Sequence, residues 1–482
     1  MKKILLLTIC IIATLNSHAQ QFIENTDIEL NGILYGEAKW INIDNDSDIE
    51  LITSGYDIDY NKTSAIYSYQ PDNIGETNIQ IEDFSYSNIE TLDYNNDGYT
   101  DFIINGFNSD DVAEVLLYIN DTNGSFIAQE LSISGTSSGQ MKIEDFNHDD
   151  LSDIIITGID SNSNYVAHLY IQQSDGTFED STVPFFGNSF GSILAFDANN
   201  DSHVDVVITG FSNNYVPETK LYINDGNAVF TEETNSGIAD IYFSSLSAAD
   251  YDNDGDEDVL ISGFDSTYKP FSLLYNNDGE GNFTVSTDIN LAHLYWGATS
   301  FVDYDNDGDL DIFISGADEN TFAHVKFYNN VNNVFIEDTN ISTGIYATYN
   351  SSVDWSDYDS DGDLDLVLSG LNSNHDPITK VYINQQESLS VNDVTMPTTF
   401  SIQPNPTTNK TLNLVYDESL LNSDLNTITV YSTLGHKVYE TALLEASHVY
   451  KKQLDLSFLE CGIYMVQFTL GNHMVTEKFI LK

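Results

Sequence analysis

The sequence contains no arginine, and its 15 basic residues, all lysines, face 76 aspartates and glutamates, which gives a formal net charge of −61. Nucleic-acid binding depends on lysine and arginine contacts that release counterions from phosphates, so this balance argues against such a partner. Anionic lipid surfaces attract polybasic segments and are disfavoured for the same reason. Bidentate guanidinium contacts to phosphate or carboxylate are impossible in this chain.

Cysteine is almost as scarce, since Cys10 and Cys461 are the only two. Residues 1–19 combine a basic start, a short apolar run around Cys10 and small residues before Gln20, which predicts a secretory signal peptide. A lipoprotein signal at Cys10 fits less well, because the apolar run continues past it. Removal of this peptide leaves one cysteine and therefore no intrachain disulfide. No later run reaches the roughly 18 apolar residues of a membrane span, so we expect an exported chain without a transmembrane segment.

Hydrophobic residues make up 41% of the chain and aromatic residues 12%, too many for a disordered acidic tail. A repeat of about 50 residues organises them. Its clearest copies are the acidic segments 250–258, 303–311 and 357–365, each followed by an apolar run that ends in Ser-Gly. Weaker copies begin at Asn42, Asp93, Asp145 and Asp197, so there are seven. Copies of nearly constant length indicate a closed or stacked array.

Each copy contains four short β-strand patterns, and the acidic segment forms the loop between the first two. Four strands per unit of this length are typical of a propeller blade. The last copy stops after its third strand near Asn384, while residues 22–28 have the spacing of the missing fourth strand. We therefore predict an all-β chain, in which a seven-bladed β-propeller (20–388) is closed by its N-terminal strand. A linker (389–399) and a small C-terminal β-sandwich (400–482) follow.

The position six residues before each acidic loop is always glycine or serine. Small residues are expected where neighbouring backbones approach closely. These residues are Gly36, Ser87, Gly139, Gly191, Ser244, Gly297 and Ser351.

The acidic loops follow the pattern D-x-D/N-x-D/N-G-x-x-D, with side-chain oxygens at positions 1, 3, 5 and 9 and a backbone carbonyl at position 7. Ca²⁺ takes about 6–8 oxygen ligands, and glycine at position 6 permits the sharp turn. Position 12 is apolar and a strand follows, so these are not EF-hands. Asp, Asn and Gly are also ordinary turn formers. However, four or five carboxylates within nine residues repel one another unless a cation lies among them.

We predict up to seven structural Ca²⁺ ions, one for each loop. Loop 1, with Ser47 at position 6, is the weakest match, loop 4, with Ser202 there, is doubtful, and Mg²⁺ is less suitable because it resists dehydration. The candidate ligands are Asp44, Asp46, Asp48 and Glu50 in loop 1; Asp93, Asn95, Asp97, Tyr99 and Asp101 in loop 2; Asp145, Asn147, Asp149, Leu151 and Asp153 in loop 3; Asp197, Asn199, Asp201, His203 and Asp205 in loop 4; Asp250, Asp252, Asp254, Asp256 and Asp258 in loop 5; Asp303, Asp305, Asp307, Asp309 and Asp311 in loop 6; and Asp357, Asp359, Asp361, Asp363 and Asp365 in loop 7.

Seven correctly spaced loops resemble the FG-GAP/VCBS family of calcium-loop propellers, the architecture of the integrin α-subunit head. The resemblance covers about residues 22–388. It implies that the loops between strands 1 and 2 hold structural Ca²⁺ on one face of the propeller. It also implies that ligands bind the opposite face, formed by the 4–1 and 2–3 connections.

The C-terminal region differs in charge and in pattern from the repeats. It contains Pro404-Asn405-Pro406 near its start, Gly462-Ile463-Tyr464 near its end and a basic terminus. These motifs resemble the type IX secretion sorting domain of Bacteroidetes, which implies export across the outer membrane by that machinery. A carbohydrate-binding or adhesive sandwich is the alternative for this region.

No catalytic motif stands out in the sequence. Gly187-Asn188-Ser189-Phe190-Gly191 matches a nucleophile pattern, but a second match 52 residues earlier falls at the same repeat position, and the required strand–turn–helix context is missing. Seven or eight residues before the loops lies a set of aromatic residues, broken only by Ser138. They could pack neighbouring blades together or stack on sugars. The set comprises Tyr35, Tyr86, Phe190, Phe243, Trp296 and Tyr349, with Tyr295 beside Trp296 as a further candidate ligand contact.

The sequence therefore predicts a secreted or surface-associated, Ca²⁺-stabilised propeller that acts as a non-catalytic binding or adhesion module for an extracellular glycan or protein. The alternative is a Ca²⁺-assisted polysaccharide lyase or hydrolase on a propeller scaffold. A lyase needs a positive charge against its uronate substrate, and the propeller has few lysines and no arginine to supply one.

Overall fold

The computed structural model describes residues 20–45, 48–70, 73–287, 289–386, 401–403, 405–407, 410–415, 426–432, 437–442, 451–459, 462–470 and 473–482. The predicted signal peptide (1–19), Asp46, the predicted linker (389–399) and Cys461 lie outside these residues. The chain divides into two compact units, Met1–Ser388 and Leu389–Lys482. No helix in the described residues is long and apolar enough to cross a membrane.

The first unit consists of seven four-stranded antiparallel sheets. The chain begins with β1 (Gln20–Glu24). Sheet 1 contains β2 (Leu34–Ile41), β3 (Glu50–Tyr56), β4 (Lys62–Gln70) and β5 (Asn73–Glu76). Sheet 2 contains β6 (Ser85–Leu92), β7 (Asp101–Phe107), β8 (Ala113–Asn120) and β9 (Phe126–Glu130). Sheet 3 contains β10 (Met141–Glu144), β11 (Asp153–Ile159), β12 (Tyr165–Gln172) and β13 (Phe178–Asp180). Sheet 4 contains β14 (Ile193–Phe196), β15 (Asp205–Phe211), β16 (Pro217–Asn224) and β17 (Phe230–Glu233).

The remaining sheets repeat this plan. Sheet 5 contains β18 (Ile241–Ala249), β19 (Asp258–Asp265), β20 (Pro270–Asn277) and β21 (Phe283–Val285). Sheet 6 contains β22 (Thr299–Val302), β23 (Asp311–Ala317), β24 (Ala323–Asn330) and β25 (Phe335–Glu337). Sheet 7 contains β26 (Tyr349–Ser356), β27 (Asp365–Leu371), β28 (Pro377–Gln386) and β1. A 3-10 turn, Ile341–Gly344, precedes β26, and no α-helix occurs in the described residues.

The predicted pairing of the N-terminal strand with the last repeat is confirmed, because β1 pairs with β28 and Phe22 lies opposite Asn384. The strand is Gln20–Glu24 rather than 22–28. It ends there because the Asp27 N–H donates back to Asn25 Oδ1 at 3.1 Å, which turns the chain.

Successive sheets share hydrophobic cores. The core between sheets 6 and 7 contains Phe313 and Leu368, and the core between sheets 1 and 2 contains Ile52 and Ile104. A further core joins sheet 7 to sheet 1, since Trp40 and Leu51 pack with Val367 and other residues of the last sheet. The Trp40 N–H also donates to Asp354 Oδ2 at 2.8 Å. The first and last sheets are therefore neighbours, an arrangement consistent with a propeller.

A buried tyrosine in the third strand of each sheet holds the connection that enters that sheet. Its hydroxyl accepts a hydrogen bond, 2.7–3.4 Å long, from a backbone N–H 36 residues earlier. This contact explains the tyrosine that recurs in every repeat. The seven residues are Tyr67, Tyr118, Tyr170, Tyr222, Tyr275, Tyr328 and Tyr382.

The second unit is also all β in its described residues. One sheet contains β29 (Ser401–Gln403), β30 (Thr411–Val415) and β33 (Lys451–Asp455), and the other contains β31 (Asn426–Ser432), β32 (Lys437–Ala442), β34 (Gly462–Leu470) and β35 (His473–Leu481). Leu412 and Leu454 of the first sheet share one buried core with Ile428, Val466 and Phe479 of the second.

Candidate functional site

The acidic loops bring carboxylates together most closely in the three copies with the strongest sequence pattern. In loop 6, one carboxylate oxygen from each of Asp303, Asp305 and Asp311 lies within 4.8 Å of the other two. The first, third and fifth residues of loops 5 and 7 converge in the same way. These groups are Asp250, Asp252 and Asp254 in loop 5, and Asp357, Asp359 and Asp361 in loop 7.

The first aspartate organises the turn in loops 2 to 7. In loop 6, Asp303 Oδ1 accepts the Asp307 N–H at 3.1 Å, and Oδ2 accepts the Gly308 N–H at 3.0 Å. Gly308 has φ +94°, and Asp150 and Ser202 adopt φ of 65° and 68° at the equivalent position. The left-handed turn therefore forms even where glycine is replaced, and loops 3 and 4 keep the shape of the others.

The ninth residue has a structural role that sequence reasoning missed. Asp311 Oδ1 accepts the Asn330 N–H at 2.7 Å, and the same bond recurs 19 residues apart in sheets 2 to 7. Asp311 Oδ2 is buried and has no hydrogen-bond partner among the described residues, and Asp258 Oδ2 is likewise buried without one. Such an oxygen is available to a cation.

The electrostatics of these loops fit a cation as well. Burial raises the pKa of Asp311 to about 8, and repulsion from Asp305 and Asp307 adds to the rise. The hydrogen bond from the Asn330 N–H acts in the opposite direction. Burial likewise raises the pKa of Asp258 and Asp365 to about 7. A bound divalent ion would remove the repulsion and satisfy the buried oxygens, so the donor set of loops 5, 6 and 7 fits Ca²⁺.

Loops 2, 3 and 4 have asparagine at position 3 and are less strained without an ion. Asn95 Nδ2 donates to Asp97 Oδ2 at 2.9 Å, and Asn147 and Asn199 make the equivalent bonds to Asp149 and Asp201. The carboxylate at position 5 thus bonds to an amide donor in loops 2 to 4, whereas in loops 5 and 7 it faces another carboxylate. Burial also raises the pKa of Asp153 and Asp205 to about 7, which keeps position 9 of loops 3 and 4 comparable with that of loops 5 and 7.

In loops 5 and 7 the side chain at position 7 contacts the neighbouring loop. Asp363 accepts a hydrogen bond from Asn306 of loop 6 at 2.5 Å, and Asp256 accepts one from Asn200 of loop 4. The backbone carbonyl at this position stays a predicted ion ligand, as it does for Tyr99, Leu151, His203 and Asp309. In loop 1, Glu50 is buried and accepts the Ile43 N–H at 3.0 Å, whereas Asp44 is exposed.

An asparagine at the end of the third strand clasps neighbouring sheets. Asn330 Nδ2 donates to Tyr251 O of the preceding sheet's loop at 3.3 Å and to Leu310 O of its own loop at 3.1 Å. Asn120, Asn224, Asn277 and Asn384 make the same pair of bonds. The recurrence of this asparagine, 19 residues after the ninth loop position, is the signal that could have revealed it.

At the opposite ends of the sheets, one residue in or just before each innermost strand turns toward a common cavity. In sheets 1, 2, 5 and 7 it lies in a β-bulge; in sheet 1, for example, the register shifts between Leu34 and Glu37. We call the seven residues the collar; all have φ between 44° and 55°. They are Tyr35, Tyr86, Ser138, Phe190, Phe243, Trp296 and Asn350, and they line a cavity of about 160 Å³. Bulges commonly re-aim side chains in this way.

The collar corrects one detail of the sequence-based set. Trp296, Phe243 and Phe190 line the cavity, but in sheet 7 the lining residue is Asn350 rather than Tyr349. Tyr349 is buried and its hydroxyl lies 2.6 Å from His375 Nδ1, while Tyr295 is buried against Phe264 with ring centroids 3.7 Å apart. Asn350, like every other collar residue, lies seven residues before its loop, whereas Tyr349 lies eight before it, so constant spacing identifies the lining residue.

The collar residues also join the sheets to one another. The Phe243 N–H donates to Phe190 O at 2.6 Å, and the Trp296 N–H donates to Phe243 O at 2.9 Å. The Asn350 N–H donates to Trp296 O, and Asn350 Oδ1 accepts the Tyr35 N–H at 2.7 Å. The rings of Phe190, Phe243 and Trp296 follow one another at 4.9 Å. Packing between sheets is therefore one role of the collar.

The glycines next to the collar are required by a close backbone approach, as predicted. A Cβ on Gly191 would lie 1.7 Å from Thr209 O, and a Cβ on Gly36 would lie 1.8 Å from Ser54 O. Both contacts are to the second strand of the same sheet.

Deeper along the innermost strands lies a network of charged residues. Glu90 is bound by Lys39 at 2.7 Å and by Lys142 at 2.5 Å. Glu37 Oε2 accepts the Ile89 N–H at 2.7 Å, and Asp354 accepts the Trp40 N–H. The two lysines hold the pKa of Glu90 below its usual range against the effect of burial, whereas burial raises the pKa of Glu37. These carboxylates are engaged in joining sheets.

Around the collar, three hairpins between the second and third strands carry strongly exposed tyrosines, which we call the crown: Tyr60, Tyr215 and Tyr268, exposed by 68%, 72% and 71%. Each occupies a left-handed turn position. Tyr56 lies between Tyr60 and the collar residue Tyr86, with ring centroids 6.1 and 6.0 Å away. Collar and crown thus form one aromatic surface near sheet 1.

Repeated four-stranded sheets, acidic loops at one end and a collar at the other define a protein of the β-propeller class. The chain carries FG-GAP-like repeats, matched at residues 145–208, 197–261 and 303–368. It ends in a secretion system C-terminal sorting domain, matched at residues 401–482. This tail indicates type IX secretion, so the protein is exported to the cell surface or beyond it.

Solved structures with similar folds include sugar-binding and sugar-cleaving proteins. The lectin of Aleuria aurantia, solved as its N224Q mutant with α-methyl-L-fucoside, is 12% identical, covers 66% of this chain and 100% of its own, and has a TM-score of 0.38. AofleA from Arthrobotrys oligospora is 8% identical, with coverages of 68% and 90% and a TM-score of 0.40. A thermostable family-43 glycoside hydrolase is 9% identical, with coverages of 67% and 98% and a TM-score of 0.27. No curated protein matches the chain.

Proposed function

We propose that this protein is an exported binding module, in which a closed seven-bladed propeller stabilised by Ca²⁺ presents its collar and crown to an extracellular glycan. The C-terminal unit would be a β-sandwich read by the type IX secretion machinery. The observation that carries the proposal is the cavity to which each of the seven sheets contributes residues in or just before its innermost strand.

The lining of the cavity suits a sugar. Aromatic faces from Tyr35, Tyr86, Phe243 and Trp296 provide apolar contact, and hydroxyl and amide groups lie between them. Asn88 lines the cavity, and its buried Oδ1 has no hydrogen-bond partner among the described residues. A ligand hydroxyl could donate to this oxygen, which would relieve the cost of an unpaired buried acceptor.

The size of the cavity suggests an extended ligand. At about 160 Å³ it is smaller than the roughly 300–1,000 Å³ of typical small-molecule pockets, so it would hold only the end of a chain. The crown offers further contact area. Tyr242, which packs 5.3 Å from Phe243 and 6.2 Å from Tyr268, connects the collar to the crown on sheet 5. We therefore favour an oligosaccharide or polysaccharide over a protein ligand.

Bound Ca²⁺ would supply structural cross-linking of the acidic loops. The chain's own residues do the rest. In loops 2 to 7 the first aspartate orders the turn and the ninth ties the loop to the third strand, and in five of these loops the asparagine clasp adds a bond to the preceding loop. Since the loops lie at the opposite ends of the strands from the collar, the ions would support the binding face without contacting the ligand.

Hydrolysis or lyase chemistry is less well supported. A general acid or base must reach its substrate with a free oxygen. The carboxylates on the innermost strands already have partners: Glu37 and Asp354 accept backbone N–H groups, and Glu90 pairs with lysines. Lys39 and Lys142 are both bound to Glu90.

A glycan array probed with the Ca²⁺-loaded full chain tests the proposal. Trp296→Ala should weaken binding to the positive glycans by about tenfold or more, because an aromatic contact contributes ~1.5 kcal/mol beyond its area. Trp296→Phe should retain most of the affinity. Ile336→Ala, at an exposed position on β25, is the control and should bind normally. Unchanged binding in both Trp296→Ala and Tyr268→Ala would reject this face, and release of shorter oligosaccharides would favour the enzyme.

A further inference from the structure

Two histidines from neighbouring loops meet at the acidic end of sheets 3 and 4. His148 is the fourth residue of loop 3, and His203 is the seventh residue of loop 4. His148 Nε2 lies 3.4 Å from His203 Nδ1, and the two rings cross at 82°. The predicted Ca²⁺ pattern uses only the backbone carbonyl of His203, so both imidazoles are without a role in that site.

Elsewhere the same two loop positions carry an asparagine and an aspartate. Asn306 Nδ2 donates to Gly362 O at 2.9 Å and to Asp363 Oδ1 at 2.5 Å. Asn200 donates to Asp256 in the same way. The contact between adjacent loops is therefore a hydrogen bond from an amide donor to a carboxylate acceptor.

The histidine pair makes this contact poorly. His148 Nε2 lies 3.3 Å from Ser202 O and 3.4 Å from His203 Nδ1, both longer than the roughly 2.7–3.2 Å of a good hydrogen bond. A single ring nitrogen offers either one proton or one lone pair, so it cannot bond well to a carbonyl oxygen and to an acceptor nitrogen together. As an interloop hydrogen bond, this pair is inferior to the Asn–Asp pair.

As a pair of metal ligands, however, the spacing is suitable. Two imidazole nitrogens at about 2.0–2.1 Å from a tetrahedral Zn²⁺ are separated by roughly 3.3–3.4 Å. The observed separation of Nε2 and Nδ1 is 3.4 Å. The two rings come from different sheets, so one ion would bridge loops 3 and 4.

The backbone holds both rings in place. His148 has φ 59°, as do the asparagines at its position, and this conformation directs the side chain toward the next loop. The ring of His203 lies over Gly226, where a Cβ would be 2.4 Å from Cε1 and 2.7 Å from Nδ1. Gly226 therefore leaves the space that the ring occupies.

We propose that His148 Nε2 and His203 Nδ1 bind a divalent transition-metal ion of the Zn²⁺ type, with water in the remaining positions. Neutral imidazole suits Zn²⁺, Cu²⁺ and Ni²⁺, whereas Ca²⁺ prefers oxygen, so this site is chemically distinct from the acidic loops. The surrounding aspartates of loops 3 and 4 add a favourable field for a cation. The site would link sheets 3 and 4 at two loops that both lack glycine at position 6, where Asp150 and Ser202 stand.

The test is a calorimetric titration of the full chain with Zn²⁺, with excess Ca²⁺ present to occupy the oxygen sites. We expect one saturable equivalent of Zn²⁺. The double variant His148→Asn with His203→Asp restores the pair found between loops 6 and 7, so it should fold normally while its Zn²⁺ affinity falls by about tenfold or more. His168→Asn, which changes a histidine of β12, is the control and should bind as the natural chain does. Absence of binding to the natural chain, or equal Zn²⁺ affinity in the double variant of unchanged melting temperature, would overturn the proposal. If the double variant melts at a lower temperature, His148→Asn alone provides the same comparison.

Discussion

Removal of calcium should destabilise the propeller, and loops 5 to 7 should account for most of the effect. Each of these loops has aspartate at positions 1, 3, 5, 7 and 9, and in each three carboxylates converge within 4.8 Å. Without an ion, the ninth aspartate is buried close to its neighbours, as the raised pKa of Asp311 indicates. Chelation therefore leaves unscreened like charges next to buried oxygens.

The expected magnitude follows from ligand linkage. With 10 mM Ca²⁺ and a dissociation constant on the order of 10⁻⁴–10⁻³ M, as in extracellular modules, each site contributes about 1.4–2.7 kcal/mol. Three sites then contribute about 4–8 kcal/mol. An unfolding entropy of about 2.1 cal/mol/K per residue over roughly 370 residues converts this to a shift of about 5–10 °C in melting temperature.

Thermal melts in 10 mM Ca²⁺, in Mg²⁺ and in excess chelator measure this shift. A matched variant is Asp252→Asn, which gives loop 5 the asparagine that loops 2 to 4 have at position 3. It retains an oxygen ligand but removes one repelling carboxylate, so the difference between loaded and chelated melting temperatures should become smaller. Equal melting temperatures of the natural chain with and without chelator would refute the reasoning about the loops.

Two further predictions concern contacts between sheets. Glu90→Gln should lower the free energy of unfolding at pH 7 by about 3–5 kcal/mol, because it leaves two lysines without their partner, whereas Glu37→Gln, which removes a buried charge of raised pKa, should be neutral or stabilising. The contribution of Glu90, whose folded pKa is lowered, is complete above the unfolded pKa near 4.5 and is lost as the pH falls through the folded pKa. Denaturant unfolding at pH 7 and pH 4 should therefore show a smaller Glu90→Gln effect at pH 4; equal effects at both pH values would contradict the ionic origin. Asn330→Ala should cost about 2–4 kcal/mol in the same assay by leaving two buried carbonyls without a donor, while the exposed Asn282→Ala should be nearly neutral, and equal effects would argue against the clasp.

The features predicted from the sequence are those fixed within one repeat. The four strands, the acidic turn and the tight approach at Gly36 and Gly191 depend on residues close together in the chain, so spacing was sufficient. The pairing of β1 with β28 was also accessible, because the last repeat lacks its fourth strand while the N-terminus carries one additional strand pattern. The predicted Ca²⁺ and glycan sites stay predictions.

The features that were missed depend on contacts between repeats. The hydrogen bond from Asn330 to Tyr251 joins residues 79 positions apart, so it becomes apparent only when the fold brings the two together. Asn350 was missed for another reason: it has the spacing of the other collar residues, seven before the loop, but it is not aromatic, whereas the adjacent Tyr349 is. The contact of His148 with His203 likewise requires two loops to be adjacent.

The two sets of contacts between sheets explain how an exported chain with one cysteine after the predicted signal peptide could hold a ring together. Disulfides would fix pairs of residues, but here the links are distributed over both ends of the sheets. At the loop end, asparagine clasps tie loops 2, 4, 5, 6 and 7 to the loop before each, and at the other end the collar joins its neighbours through backbone bonds. At the outer edge, Phe22 of β1 is buried 5.4 Å from Phe327 and 5.9 Å from Trp355, and Glu24 pairs with Lys380 at 2.6 Å. Since β1 begins at Gln20, cleavage after residue 19 would leave this strand whole, whereas cleavage after Phe22 would remove the side chain that fills the core between sheets 6 and 7.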